Sequence, residues 1–233
     1  MELKICGLGR LADIRVAEVA GADYVGMIVE VERSPRKVSV DVARRLAQAT
    51  DARVVAVIAD ETVARAAEIA RQIGVAALQL HGSEGPQYLR SLSDALALAG
   101  CAGVELWKAA SVPPCAEAEQ AKRIVTDAVR DIAELAEAGA ARIVLDTSVR
   151  GHSGGTGQTC DWAVAAQIVA GSALPVVLAG GIGPGNVAAA IAAVSPAGVD
   201  VSSGVERCPG VKSPLLIQDL ARALREATAT RQR

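Results

Sequence analysis

The stretches VVLAGGIGPGNV at residues 176–187 and VDVSSGVE at residues 199–206 decide how the rest of the chain is read. Each is a short β-branched run, then small residues, then a segment able to start a helix. A strand that ends in small residues before a helix presents bare backbone N–H groups. Those groups, with the helix dipole, hold a phosphate without help from Lys or Arg. Gly180, Gly181, Gly183, Ser202, Ser203 and Gly204 are therefore the candidate phosphate-binding residues. A single turn of this kind reads as a tight turn that needs glycine. Two in succession, on the last two strands of a repeating strand–helix chain, stand where a (β/α)8 barrel keeps its phosphate site.

Outward from these turns, short apolar runs alternate with longer amphipathic ones. The pattern predicts strands at 2–6, 24–29, 53–58, 76–80, 103–108, 142–146, 175–179 and 198–201. Helices are expected at about 10–20, 40–49, 61–73, 86–99, 117–138, 161–170, 184–193 and 214–227. Gly21, Gly74, Gly100 and Gly139 close four of these helices, Ser39 caps one, and Pro35 keeps the loop before it non-helical. No composition break marks a linker. The expected fold is α/β, a single-domain (β/α)8 TIM barrel over residues 1–227 with a frayed tail at 228–233. A doubly wound open sheet is the runner-up, which periodicity does not exclude. Its dinucleotide fingerprint is missing after the first strand, and the GxGxxG-like spacing from Gly181 comes too late in the chain.

The 233 residues suffice for one sizeable core. Half are hydrophobic, yet aromatics make up 2% and Phe is absent, so Ala, Val, Leu and Ile must fill it. A net charge of −2 and the absence of a basic run argue against nucleic acid or an anionic membrane as partner. Five Cys without a CxxC pair, and two His, argue against a metal site. Reduced thiols, no signal-peptide pattern and no apolar run approaching ~20 residues make a cytoplasmic location the expectation.

In a barrel, chemistry gathers at the C-terminal ends of the strands. Cys6 ends the first and is a candidate nucleophile or base, although most buried Cys are inert. Asp146 ends the sixth. There a carboxyl can serve as general acid, or merely cap a loop. Arg36 can fork onto a carboxylate, or lie solvated on the surface. Gln79 and His81 follow the fourth strand, and Asp200 sits on the eighth, placed to meet a sugar hydroxyl or to cap a turn. Asp60 and Lys108 also fall at strand ends. The glycine-rich loop at 147–160, with His152, reads as a cover over the site or as a plain loop.

Taken together, the motifs resemble the phosphoribosylanthranilate isomerases of tryptophan biosynthesis. The matches are KICGL at 4–8, GADYVGMI at 21–28, SPRKVS at 34–39, LQLHGSE at 78–84, WKA at 107–109, VLDT at 144–147, GGTGQTCDW at 154–162, LAGGIGPGNV at 178–187 and VDVSSGVERCPGVK at 199–212. The resemblance implies a cofactor-free Amadori rearrangement of a small phosphosugar substrate by a monomer or homodimer, with no metal. It implies Asp146 as general acid, Cys6 as general base, Arg36 on the anthranilate carboxylate and the glycine turns on the phosphate. The chain departs from the family pattern at Gly9, Met27, Val29, Asp60, Gln158, Cys160 and Ser213, and in a long insertion around 96–135. Most of these changes fall where the aromatic half of the substrate or the loop cover would lie. Two alternatives follow: an Amadori isomerase acting on a different aminosugar phosphate, and a catalytically silent phosphosugar-binding barrel. The histidine-pathway isomerase generally uses a pair of Asp, so Cys6 argues against that version of the first.

Overall fold

Among the described residues, eight helices and eight barrel strands alternate in the predicted order. The computed structural model describes residues 1–113, 117–146 and 162–231. The units are β1 (Glu2–Ile5) with α1 (Leu11–Ala20), β2 (Tyr24–Val29) with α2 (Val40–Ala47), β3 (Arg53–Ile58) with α3 (Val63–Ile73), and β4 (Ala77–Leu80) with α4 (Pro86–Leu98). They continue with β5 (Glu105–Ser111) and α5 (Ala118–Glu137), β6 (Ala140–Asp146) and α6 (Trp162–Gly171), β7 (Val176–Ala179) and α7 (Val187–Val194), and β8 (Gly198–Val201) and α8 (Pro214–Arg231). Each strand pairs in parallel with its sequence neighbours. β8 returns to β1 in the register Glu2↔Gly198 and Lys4↔Asp200, so the sheet closes on itself. The open-sheet alternative is thereby excluded.

Local chemistry explains the boundaries. Gly21, Gly74 and Gly139 take positive φ where α1, α3 and α5 end. Ser39 and Thr62 accept from the backbone N–H three residues on, capping α2 and α3. The strands send alternate residues to two separate apolar layers. Leu3, Ile5, Val25, Met27, Leu78 and Leu80 face the helices in the larger core. Tyr24, Val55, Ala77, Trp107, Val144 and Val177 form a second cluster inside the barrel.

With no Phe available, Trp107 and Tyr24 fill most of the interior. Their rings meet edge to face, with centroids 4.8 Å apart and an interplanar angle of 75°. Below them a charged layer finishes the N-terminal end of the barrel. Trp107 Nε1 donates to Glu105 at 2.7 Å, Arg142 bridges Glu2 and Glu105, and the Arg53 guanidinium lies 3.9 Å from the Tyr24 ring centre.

Some elements differ from expectation. β5 continues to Ser111, three residues past Lys108, because pairing with β6 extends to Asp146. Lys37–Val38 adds a short parallel strand beside β2, and Glu206–Cys208 forms an antiparallel hairpin with Val211–Lys212. Neither is long enough to carry a periodic signal. The closing helix runs on to Arg231. Among the described residues no helix is long and apolar enough to cross a membrane.

Replacing Trp107, which is 1% exposed, by Ala should leave a large interior void. The expected loss is about 3–5 kcal/mol of unfolding free energy, read from urea denaturation.

Candidate active site

The inward-facing residues of β1 build the first wall. Lys4 is 1% exposed and its Nζ lies 2.8 Å from Asp200 Oδ2 on β8. One step further along the same face is Cys6, also buried. Gly26 on β2 makes room for both. A Cβ there would stand 2.8 Å from Cys6 Sγ and 3.0 Å from Lys4 Nζ, so any side chain would displace them. Burial pushes the Cys6 thiol up, Lys4 and Lys212 pull the other way, and Asp200 adds to the rise. Burial also opposes the charge on Lys4, but Asp200 and Cys6 outweigh it and hold the ammonium above its ordinary value. Asp200 Oδ1 and Gln79 Oε1 are buried and have no hydrogen-bond partner among the described residues. Such orphaned oxygens in a site are acceptors awaiting donors.

On the opposite side, Asp146 ends β6, paired with Ser111 of β5 and Ala179 of β7. Its backbone carbonyl accepts from Val112 N at 3.1 Å, fixing the strand end. His81 stands at the solvent-open mouth after β4, with Nδ1 3.4 Å from Gln79 Nε2. Although its outer edge meets solvent, protein on its inner side holds the imidazole below its usual value. The Asp146 carboxylate partly offsets this, while Lys108 and Lys4 reinforce it. His81 therefore shares one electrostatic neighbourhood with Asp146, Lys4 and Asp200.

The two glycine turns lie against each other beyond β7 and β8. Gly180 and Gly181 have φ of 89° and 64°, which favour glycine. At Gly204 a Cβ would fall 2.0 Å from the Ile182 carbonyl oxygen, so only glycine permits the contact. Gly204 lies in the 3-10 turn Ser203–Val205, whose leading N–H groups lack partners within the turn. Gly183 is different. Its N–H donates to Asn186 Oδ1 at 2.8 Å, so it shapes the turn.

Arg36 is drawn into the site, 20% exposed at its side chain, and is already engaged. Its Nε and Nη2 fork onto Glu206 Oε1 and Oε2 at 2.8 and 2.7 Å. Lys212 Nζ contacts the same Glu206 at 2.8 Å and the Ser202 carbonyl at 3.0 Å. Gly7, at φ +73°, admits this cluster beside Cys6: a Cβ would lie 2.7 Å from Arg36 Cδ and 2.9 Å from Ser202 Oγ.

Lys4, Glu206 and Lys212 were not among the predicted site residues. The strand period already put Lys4 on the face of Cys6, while nothing local linked residues 206 and 212 to residue 36. Lys108 and Asp60, by contrast, hold loops. Lys108 Nζ donates to the Leu80 and Gly82 carbonyls and to Glu84, and Asp60 accepts from Ser83. Glu84 completes that brace by accepting from the N–H of Asp60 and Gly82. The expected cover loop, with His152, Gln158 and Cys160, lies outside the described residues.

Proteins of known activity share this fold. The family model described as N-(5'-phosphoribosyl)anthranilate (PRA) isomerase matches residues 3–223. The N-(5'-phosphoribosyl)anthranilate isomerase of Rhodopseudomonas palustris (strain BisB5) is 38% identical over 226 residues, 96% of this chain and 95% of that protein. The phosphoribosyl anthranilate isomerase of Thermotoga maritima superposes with a TM-score of 0.81 at 28% identity, over 97% of this chain and 99% of that one. Another solved isomerase, in complex with reduced 1-(o-carboxyphenylamino)-1-deoxyribulose 5-phosphate, gives 0.77 at 27% identity, over the same shares of the two chains. The closed barrel, the paired glycine turns and a match spanning nearly the whole chain place this protein in the phosphoribosylanthranilate isomerase family, whose enzymes serve tryptophan biosynthesis.

Proposed function

We propose that this isomerase converts N-(5-phosphoribosyl)anthranilate to 1-(2-carboxyphenylamino)-1-deoxyribulose 5-phosphate with Asp146 as general acid and Cys6 as general base. The observation that carries the assignment is the buried Cys6 beside the Lys4–Asp200 pair, at the barrel end where Asp146 terminates β6. Asp146 protonates the furanose ring oxygen. The C1′–O bond breaks as the anilino nitrogen forms the C1′=N bond of a Schiff base. The Cys6 thiolate then takes the proton from C2′; the C–H electron pair forms the C1′=C2′ bond as the C1′=N π pair returns to nitrogen, giving the enolamine. Tautomerisation protonates C1′ and leaves the C2′ ketone. Substrate and product are isomers, so the sequence needs no electron acceptor.

The remaining roles follow the chemistry at hand. Asp200 Oδ1 and Gln79 Oε1 accept from sugar hydroxyls, and His81 lines the mouth as a neutral imidazole. Arg36 meets the anthranilate carboxylate. The phosphate rests on N–H groups around Gly180 and Gly181 and on those of Ser203 and Gly204, with Gly183 shaping the turn and Ser202 beside Lys212.

Cys6→Ala and Asp146→Asn should each lower turnover by ~10²–10⁴ while the fold persists. Loss of substrate fluorescence measures the rate and circular dichroism the fold; near-normal activity in either variant rules out its assigned role. Gly204→Ala should raise KM about tenfold or more and abolish inhibition by inorganic phosphate, with a smaller change in kcat. An unchanged phosphate Kd in that variant removes the turn from the phosphate site.

The thiol supplies a pH test. Its pKa is raised, so the reactive thiolate appears at higher pH than for an ordinary Cys. Iodoacetamide labelling of Cys6, followed by peptide mass spectrometry, should rise with pH to a midpoint above the usual thiol value. Lys4→Met removes the nearest positive charge and leaves Asp200 unneutralised, so the midpoint should move higher still. A midpoint that stays put or falls disproves the coupling.

A further inference from the structure

We infer that Glu206 is a positioning residue that aims Arg36 at the substrate's aglycone, holding one edge of the guanidinium so that another faces the site. The inference rests on the reading that Arg36 receives the anthranilate carboxylate. A guanidinium has five N–H donors on a rigid plane. Glu206 takes the edge formed by Nε and Nη2. The end-on edge formed by Nη1 and Nη2 remains for a second carboxylate. A flexible Arg without such a hold would sample many rotamers and lose entropy on capture.

The hold is itself rigid. Glu206 and Lys212 are directly opposed across the short antiparallel hairpin, and their side chains are 5% and 1% exposed. Lys212 ties Glu206 Oε1 at 2.8 Å and also grips the Ser202 carbonyl, while the Gly210 N–H reaches Oε1 at 3.3 Å. The carboxylate is thus anchored on one side by the hairpin and on the other by Arg36. Its pKa is depressed: burial opposes the charge, but the bonds from Arg36 and Lys212 outweigh it. Two cations and one carboxylate in direct contact leave one positive charge beyond neutrality, suited to one ligand anion. The same hairpin continues from the Ser202–Gly204 turn, so aglycone and phosphate recognition share one short segment.

Calorimetry with two ligands tests this. One is the reduced product analogue bearing the 2-carboxyphenyl group. The other is the same molecule with plain phenyl. The ratio of their Kd values reports carboxylate recognition, and inorganic phosphate serves as a control for the fold and the phosphate turns. Glu206→Gln should lower the ratio about tenfold, in the range of a misaligned charge-assisted pair, with phosphate Kd nearly unchanged. In kinetics the same variant should raise KM more than it lowers kcat. Glu206→Asp keeps the charge on a shorter arm and should lower the ratio to a lesser degree; it carries the test if the Gln variant does not fold. Arg36→Met should abolish the ratio, and adding Glu206→Gln to it should change nothing more. A ratio unaltered or increased by Glu206 substitution, with Arg36→Met still abolishing it, overturns the inference and leaves the Arg36 reading intact. A ratio that survives Arg36→Met overturns that reading and the inference with it.

Discussion

The Lys4–Asp200 ion pair is the interaction on which the site depends. It joins the first barrel strand to the last, 196 residues apart in sequence, at the register where the sheet closes. Both groups are buried, so neither tolerates losing the other. Removing one partner of such a pair costs roughly 3–5 kcal/mol, because a bare charge is left in a poorly solvated interior. A one-residue slip in the closing register would turn one of the two, Lys4 or Asp200, toward the apolar helix layer and break the pair. The pair therefore specifies the register that also places Cys6 inside the mouth. One contact serves both closure and electrostatics.

Around this seam, the absence of side chains matters as much as their presence. Gly26 leaves space for Cys6 Sγ and Lys4 Nζ, Gly7 admits Arg36 and Ser202, and Gly204 lets one turn lie against the Ile182 carbonyl. The barrel interior divides accordingly. Its lower half is filled by Trp107, Tyr24 and small aliphatics above a charged layer. Its upper half is polar, with Asp200 Oδ1 and Gln79 Oε1 buried and without a hydrogen-bond partner among the described residues. Stability thus comes from below and from the outer shell.

Much of this was legible in the chain. The alternation of apolar runs predicted the strands and helices to within a few residues, and the strand-end rule picked out Cys6, Asp146, Gln79, His81 and Asp200. The element boundaries are legible because period, capping and glycine geometry are local properties. What the local pattern leaves out has a common origin. Lys108 and Asp60 fall at strand ends like the others, yet they brace loops, because their partners Glu84 and Ser83 come from a neighbouring unit. Gly183 lies in the predicted turn, and its N–H donates to the Asn186 side chain three residues on.

By itself, then, the sequence determined the element order, the glycine-marked turns and the residues that reach the strand ends, since each depends on neighbours a few positions away. Only the tertiary structure decided that the sheet closes, that Lys4 belongs to Cys6 and Asp200, and that Arg36 is held by Glu206 across 170 residues. The physical reason is range. A hydrogen bond or ion pair acts over a few ångströms, and which distant residues come that close is set by how the barrel closes and packs, something no local pattern encodes.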